Sequence, residues 1–270
     1  MKRLVTCALA AAIAAAMLSL ASCRKLHDYP YRSLPGGDSL CRITEITSYG
    51  YATADTSTYY FIYNVLGNPD TVRPALSLRS VLPTYVFRYD ASNLLISLLE
   101  ITYYDSSVSP NYYDGIVSNY QSFSYSGSQV AYSSMLFYGV VYNGVLIFNQ
   151  PVVSYQYGYE YDSLGRITRV QNYLPFTPPY YTNYAYNTQG NLSSYGVNDN
   201  KLNLFRTNGI WQFLTRDYSN NNPLSGASYN EFLLPVNTVQ PTGRAFLSSR
   251  FSVDHARIRY ECNCNTKSHN

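Results

Sequence analysis

The side chains in this chain whose types could do chemistry are few and scattered. Asp254 and His255 are adjacent and have the types that activate a nucleophile, yet no serine sits in a Gly-x-Ser-x-Gly setting to complete a triad. Glu160 with Asp162, and Asp254 with Glu261, are the acidic residues near enough in sequence to suggest acid–base pairs. Hydrolytic pairs are defined by their separation across a cleft, and as hairpin residues these four read as structural. Cys41, Cys262 and Cys264 are the thiols beyond the first 23 residues. A metal centre would need more ligands than they offer: the histidines are His27, His255 and His269, and no Cys-x-x-Cys pair occurs. The expectation is therefore no catalytic residue, no metal, no cofactor, and one disulfide from Cys41 to either Cys262 or Cys264.

Tyrosine is the compositional outlier, with 31 copies beside 11 Phe and one Trp. It favours strands, buries its ring and can leave its hydroxyl wet. Tyr155, Tyr157, Tyr159 and Tyr161 alternate, so one strand would hold all four rings on one face. That face has two readings: a cross-strand aromatic ladder, each pair contributing about 0.2–1 kcal/mol, or an open ring surface for stacking on sugars or another flat ligand. Charged residues make up only 13% of the chain, so nothing offers a broad attraction for nucleic acid.

The chain opens with Lys2 and Arg3 and an apolar run from Leu4 to Leu20, the pattern of a secretory signal. The run ends in Leu20-Ala21-Ser22-Cys23, which resembles the bacterial lipobox. That resemblance implies cleavage before Cys23 and acylation of Cys23, giving a membrane anchor through the lipid. Taking the 22-residue leader from 270 leaves 248 residues, and losing Lys2 and Arg3 leaves 17 basic side chains against 16 acidic ones. Residues 23–40, with Pro30, Pro35, Gly36 and Gly37, read as a flexible tether, and 265–270 as a disordered tail. Arg24 and Lys25 follow the lipid site where acidic residues would resemble a surface-export signal, so the periplasmic or cell-surface face stays open.

Between residues 59 and 196 one theme recurs. Its clearest copy is Tyr161-Asp162-Ser163-Leu164-Gly165-Arg166, with alternation before Asp162 and after Gly165. Asp at the first turn position bonds its own backbone, and Gly supplies the positive φ of a type I turn with a bulge. Asn64 with Gly67, and Asn187 with Gly190, repeat the pair; Asp90 with Asn93 substitutes the next best left-handed residue for Gly. Tyr125-Ser126-Gly127-Ser128-Gln129 is a shortened copy. The anchoring tyrosines 63, 89, 125, 161 and 186 stand 26, 36, 36 and 25 residues apart, about one hairpin per interval.

The stretch Tyr161–Thr168 resembles the YD repeat of Rhs-type and related wall-associated proteins. The layout from residue 41 to 264 is similar to uncharacterised lipobox-bearing YD-repeat lipoproteins of Bacteroidetes, including Cys41–Ile46, Asn198–Asn203, Tyr218–Asn222 and Ile258–Cys262. Rhs proteins wind many such repeats into a shell around a toxin; the few copies here imply no shell. Ser39, Thr71 and Ser163 lie in Asp-Ser/Thr-apolar triplets that resemble O-glycosylation acceptors of exported Bacteroidetes proteins.

The expected fold is all-β, a curved antiparallel meander of β-hairpins forming one domain over 41–264, with repeats over 59–196 and a plug and closing strands over 197–264. Leu204, Phe205, Ile210, Trp211, Phe213 and Leu214 suit a short helical or irregular covering segment near 201–222, interrupted at Gly209. The expected role is a lipid-anchored, non-enzymatic binding module at the outer membrane, meeting a glycan or an envelope protein. The alternative is a periplasmic carrier or chaperone for a lipid-like or unfolded client, with a hydrolase third.

Overall fold

A computed structural model describes residues 41–49, 56–75, 82–103, 114–136, 139–142, 145–148, 153–223, 226–239, 245–246, 248–252 and 255–262. The leader, Cys23, the tether with Ser39, Asp254, Cys264 and the tail lie outside these residues.

Among the described residues the fold is all-β with one short helix. Strands β1 (Cys41–Tyr49), β2 (Thr56–Tyr63), β3 (Pro69–Pro74), β4 (Thr84–Tyr89), β5 (Leu95–Tyr103), β6 (Gly115–Ser126) and β7 (Gln129–Leu136) form an antiparallel meander. β8 (Gly139–Tyr142) pairs with Gly115–Val117 at the start of β6, and β9 (Val145–Phe148) pairs with β8. β10 (Val153–Tyr161) resumes the meander against β7, followed by β11 (Ile167–Tyr173) and β12 (Tyr180–Asn183). The chain then crosses one face through a 3-10 turn (Leu204–Thr207) and helix α1 (Gly209–Thr215). It reaches the opposite edge as β13 (Ser228–Tyr229) and β14 (Pro235–Val239). β15 (Ala245–Phe246) and β16 (Ser248–Ser252) make a separate hairpin, and β17 (His255–Cys262) inserts between β14 and β1. The result is a 15-stranded sheet whose first and last strands are neighbours.

Each repeat turn has one geometry. The side-chain oxygen of Asn64, Asp90, Asp162 and Asn187 accepts from the amides two and four residues on, at 2.9–3.0 Å. Three residues past each stands a positive φ, carried by Gly67, Asn93, Gly165 and Gly190. A register shift sits at the tyrosine before the turn in the hairpins of Tyr63, Tyr89, Tyr125 and Tyr161, as a type I turn with a bulge requires. The copy at Tyr186 keeps the turn but reduces its hairpin to a single bridge, Tyr186 to Leu192. A further copy lies beyond the expected repeat region: Asn230 accepts from Phe232 and Leu234, and Leu233 carries φ 63°.

The tyrosine hydroxyls join one hairpin to the next. Tyr89 donates to the carbonyl of Pro69, Tyr125 to Leu95, Tyr161 to Val130, Tyr186 to Ile167 and Tyr260 to Pro235. Every acceptor is the first residue past the preceding turn. The phenol spans one strand spacing and ties neighbouring turns along one rim of the sheet.

The crossing segment fills the face beneath. Asn203 caps the 3-10 turn by accepting from Phe205, and Asn208 caps α1 by accepting from Ile210. Extended Asn208 separates the two short helical pieces, and Gly209, expected as the interruption, opens α1. Trp211 is fully buried, with its ring edge-on to Phe61 of β2 and Phe87 of β4, both at 5.6 Å. Phe213 meets Phe123 of β6 at 5.6 Å and Tyr159 of β10 at 5.2 Å. In a flat sheet β2 and β10 would stand about 29 Å apart, at roughly 4.8 Å per strand. Two residues of one helix reach both, so the sheet curls around α1. A smaller cluster of Leu99, Ile101, Val117 and Val141 occupies the other face, since Val86 pairs with Leu99 where Phe87 pairs with Leu98.

Cys41 and Cys262 face each other across β1 and β17 and form a disulfide closing a separation of 221 residues. In the chain-entropy account such a loop contributes about 5 kcal/mol through the unfolded state. Reduction is expected to lower the denaturation midpoint sharply while leaving native secondary structure in place, read by circular dichroism in denaturant with and without reductant. Tyr161→Phe removes one inter-hairpin bond and is expected to cost about 1 kcal/mol in the same titration.

Candidate functional site

The structure divides the four alternating tyrosines into two pairs. All four lie on the face that α1 covers. Tyr161 gives its hydroxyl to Val130, and the Tyr159 hydroxyl meets Ser133 Oγ at 2.8 Å while its ring packs on Phe213. These two are scaffold. Tyr157 and Tyr155 stand two and four residues before Tyr159 on the strand and stack on each other, with centroids 6.5 Å apart and planes 17° apart. Both remain partly accessible. Half-exposed Tyr180 of β12 lies on the same face, because its partner Asn172 is also the partner of Tyr157.

Arg216 completes this group and had no signal in the sequence. It ends α1 in the left-handed conformation, φ 56° and ψ 29°, with its amide bonded to the carbonyls of Gln212 and Phe213. Its guanidinium lies over the Tyr157 ring at 5.1 Å and donates to the Tyr184 hydroxyl at 3.5 Å. The arrangement is a cation set among phenol rings at the end of the plug, suited to holding an anionic or hydroxyl-rich flat ligand rather than to moving protons.

The other expected residues fall apart. Glu160 pairs with Arg169 at 3.3 Å and Glu261 with Arg42 at 2.7 Å, both on exposed strand surface. Asp162 pairs with Arg166 at 2.7 Å within its own turn. Burial works against the Asp162 carboxylate, yet the Arg166 amide and guanidinium and the Leu164 amide hold its carboxyl below the usual range. His255 packs against the Tyr49 ring at 5.3 Å. Among the described residues no group of three or more His, Cys, Asp or Glu could hold a metal ion. Thr71 donates its hydroxyl to Asp70 at 3.0 Å on β3, and Ser163 is exposed at a turn tip.

Burial raises the pKa of four of the tyrosines that join the hairpins. Tyr125 is pushed up to about 12 by burial and by nearby Asp90, and burial raises Tyr89, Tyr161 and Tyr260 as well. Each must stay protonated to donate.

No family model matches the chain, and no curated protein matches it. Among solved structures it is similar to one titled "Crystal Structure of TcdB2-TccC3-Cdc42", at 16% identity and a TM-score of 0.30. That match covers 68% of this chain and 9% of the other, so the chain spans about a tenth of the length of the structure it matches.

These phenols titrate lower in the unfolded chain, near pH 10, than in the folded one. Above pH 10 the unfolded state therefore binds fewer protons, and stability falls as pH rises. Stability is expected to hold below about pH 10 and to drop between roughly pH 10 and 12. A pH series of denaturation midpoints checks this, with tyrosinate absorbance of the buried rings appearing only as the fold is lost.

Proposed function

We propose that this is a YD-repeat lipoprotein of the Bacteroidetes type, anchored in the outer membrane through acylated Cys23, that binds an envelope glycan or protein without catalysis. The observation that carries the reading is the stacked, partly accessible ring pair Tyr155–Tyr157 beside half-exposed Tyr180 at the end of the plug. Aromatic rings with one wet edge are suited to recognition because they bring contact area with little rotamer entropy to lose. The carboxylates in view serve turns and strand pairs, which favours binding over hydrolysis. Trp211, Phe205 and Leu204 occupy the space that the client of a carrier would need.

Cys23→Ala is expected to move the protein from the membrane to the soluble fraction. Tyr155→Ala with Tyr157→Ala is expected to abolish retention on immobilised envelope polysaccharide and envelope protein, with thermal unfolding little changed. Unaltered retention by the double variant would reduce these rings to scaffold. Protease treatment of intact cells, beside a periplasmic marker, reports which side of the membrane the domain faces.

A further inference from the structure

The guanidinium of Arg216 is placed differently from those that complete ion pairs in the sheet. Arg42, Arg166, Arg169 and Arg259 each meet a carboxylate within 3.3 Å. Arg216 is partly buried, and among the described residues no carboxylate pairs with it. Its side-chain neighbours are phenols: Tyr157 beneath it, Tyr184 at a hydrogen-bond distance that is long for a guanidinium, and Tyr159 behind. Among the described residues its hydrogen-bond partners are the Tyr184 and Tyr159 hydroxyls, fewer than the five donors a guanidinium carries in its planar fork.

The backbone makes the same point independently. Position 216 closes α1 at φ 56°, where glycine or asparagine is the ordinary choice. An arginine there accepts a conformational cost of roughly 1 kcal/mol or more. The fold holds a charged side chain at a site where glycine would fit better, and it lays that charge over Tyr157, the ring on which Tyr155 stacks.

We propose that Arg216 and the rings of Tyr155, Tyr157 and Tyr180 form a binding site for a carboxylate-bearing sugar, a uronic acid unit of an envelope or host glycan. The guanidinium, held over Tyr157, takes the carboxylate in a two-pronged hydrogen bond, and the half-exposed ring of Tyr180 on the same face receives the flat face of the pyranose. Charge complementarity selects the acidic sugar over a neutral one. This inference rests on the binding reading above and names the ligand class and the residue that selects it.

The test uses the full-length chain in detergent and titration calorimetry with oligogalacturonate, set against the same oligosaccharide with its carboxyls reduced to alcohols. Acetate, inorganic phosphate and anionic lipid vesicles serve as further probes. Arg216→Gly suits the experiment because glycine adopts the positive φ without strain, so the variant keeps its fold. The expected result is at least about tenfold weaker oligogalacturonate binding in Arg216→Gly and in Tyr157→Ala, and a similar preference of the wild type for the acidic over the reduced oligosaccharide. Equal binding of the two oligosaccharides, or indifference to Arg216→Gly, overturns the proposal. So does capture of acetate or phosphate alone, which marks a simple ion site, or Arg216-dependent binding to vesicles, which assigns the site to lipid headgroups. If the wild type still binds immobilised envelope material but shows no affinity for oligogalacturonate, this inference alone fails; loss of both removes the broader reading with it.

Discussion

A phenol hydroxyl that reaches across one strand spacing to a backbone carbonyl recurs five times among the described residues, and the order of the hairpins depends on it. Hairpins of a meander can slide, because a two-residue slip keeps every side chain on its own face. The tyrosine removes that freedom. Its ring lies in the core, and its hydroxyl finds an acceptor only where the preceding chain leaves its turn. A slipped register would strand the hydroxyl in apolar surroundings, at roughly 1–3 kcal/mol per lost partner. The Asx turn fixes where each hairpin reverses, and the phenol fixes where it stands beside its neighbour.

That linkage leaves a large sheet with one long apolar face and two remote edges. The chain resolves both with the same segment. From β12 it returns under the sheet, buries Trp211 against β2 and β4, and emerges to form β13 and β14 at the far side. The segment has little regular structure, so its polar groups need side-chain partners. Buried Asp217 accepts from Asn203 and from the Ser219 amide, Asn191 and Asn221 bond each other twice, and Asn208 reaches the carbonyl of Gly67. The abundance of asparagine between 187 and 230 follows from that need. The disulfide then joins β1 to β17, where the meander's start meets its end.

The turns were legible because their chemistry is local: an Asp or Asn three residues before a Gly or Asn states the geometry outright. The copy at Asn230 escaped because Leu233 carries the positive φ, and leucine gives no such signal. The covering segment was legible from its apolar residues; its break falls at Asn208, one residue before the expected Gly209. The disulfide partner was not, since the sequence offers Cys262 and Cys264 on equal terms; the register Cys41 to Cys262 decides between them. Alternation placed Tyr155 to Tyr161 on one face but could not say what covers it. Arg216 was invisible, because its meaning depends on a helix end that meets strands 40 to 60 residues earlier in the chain.

One residue type thus serves two ends, and the length of α1 separates them. Phe213, in the last turn, covers Tyr159; Thr215 ends the helix, and the chain turns away at Arg216. The left-handed residue that stops the helix is also the one that lays its charge over the first uncovered ring. The end of the plug and the start of the open tyrosine surface are therefore a single structural event.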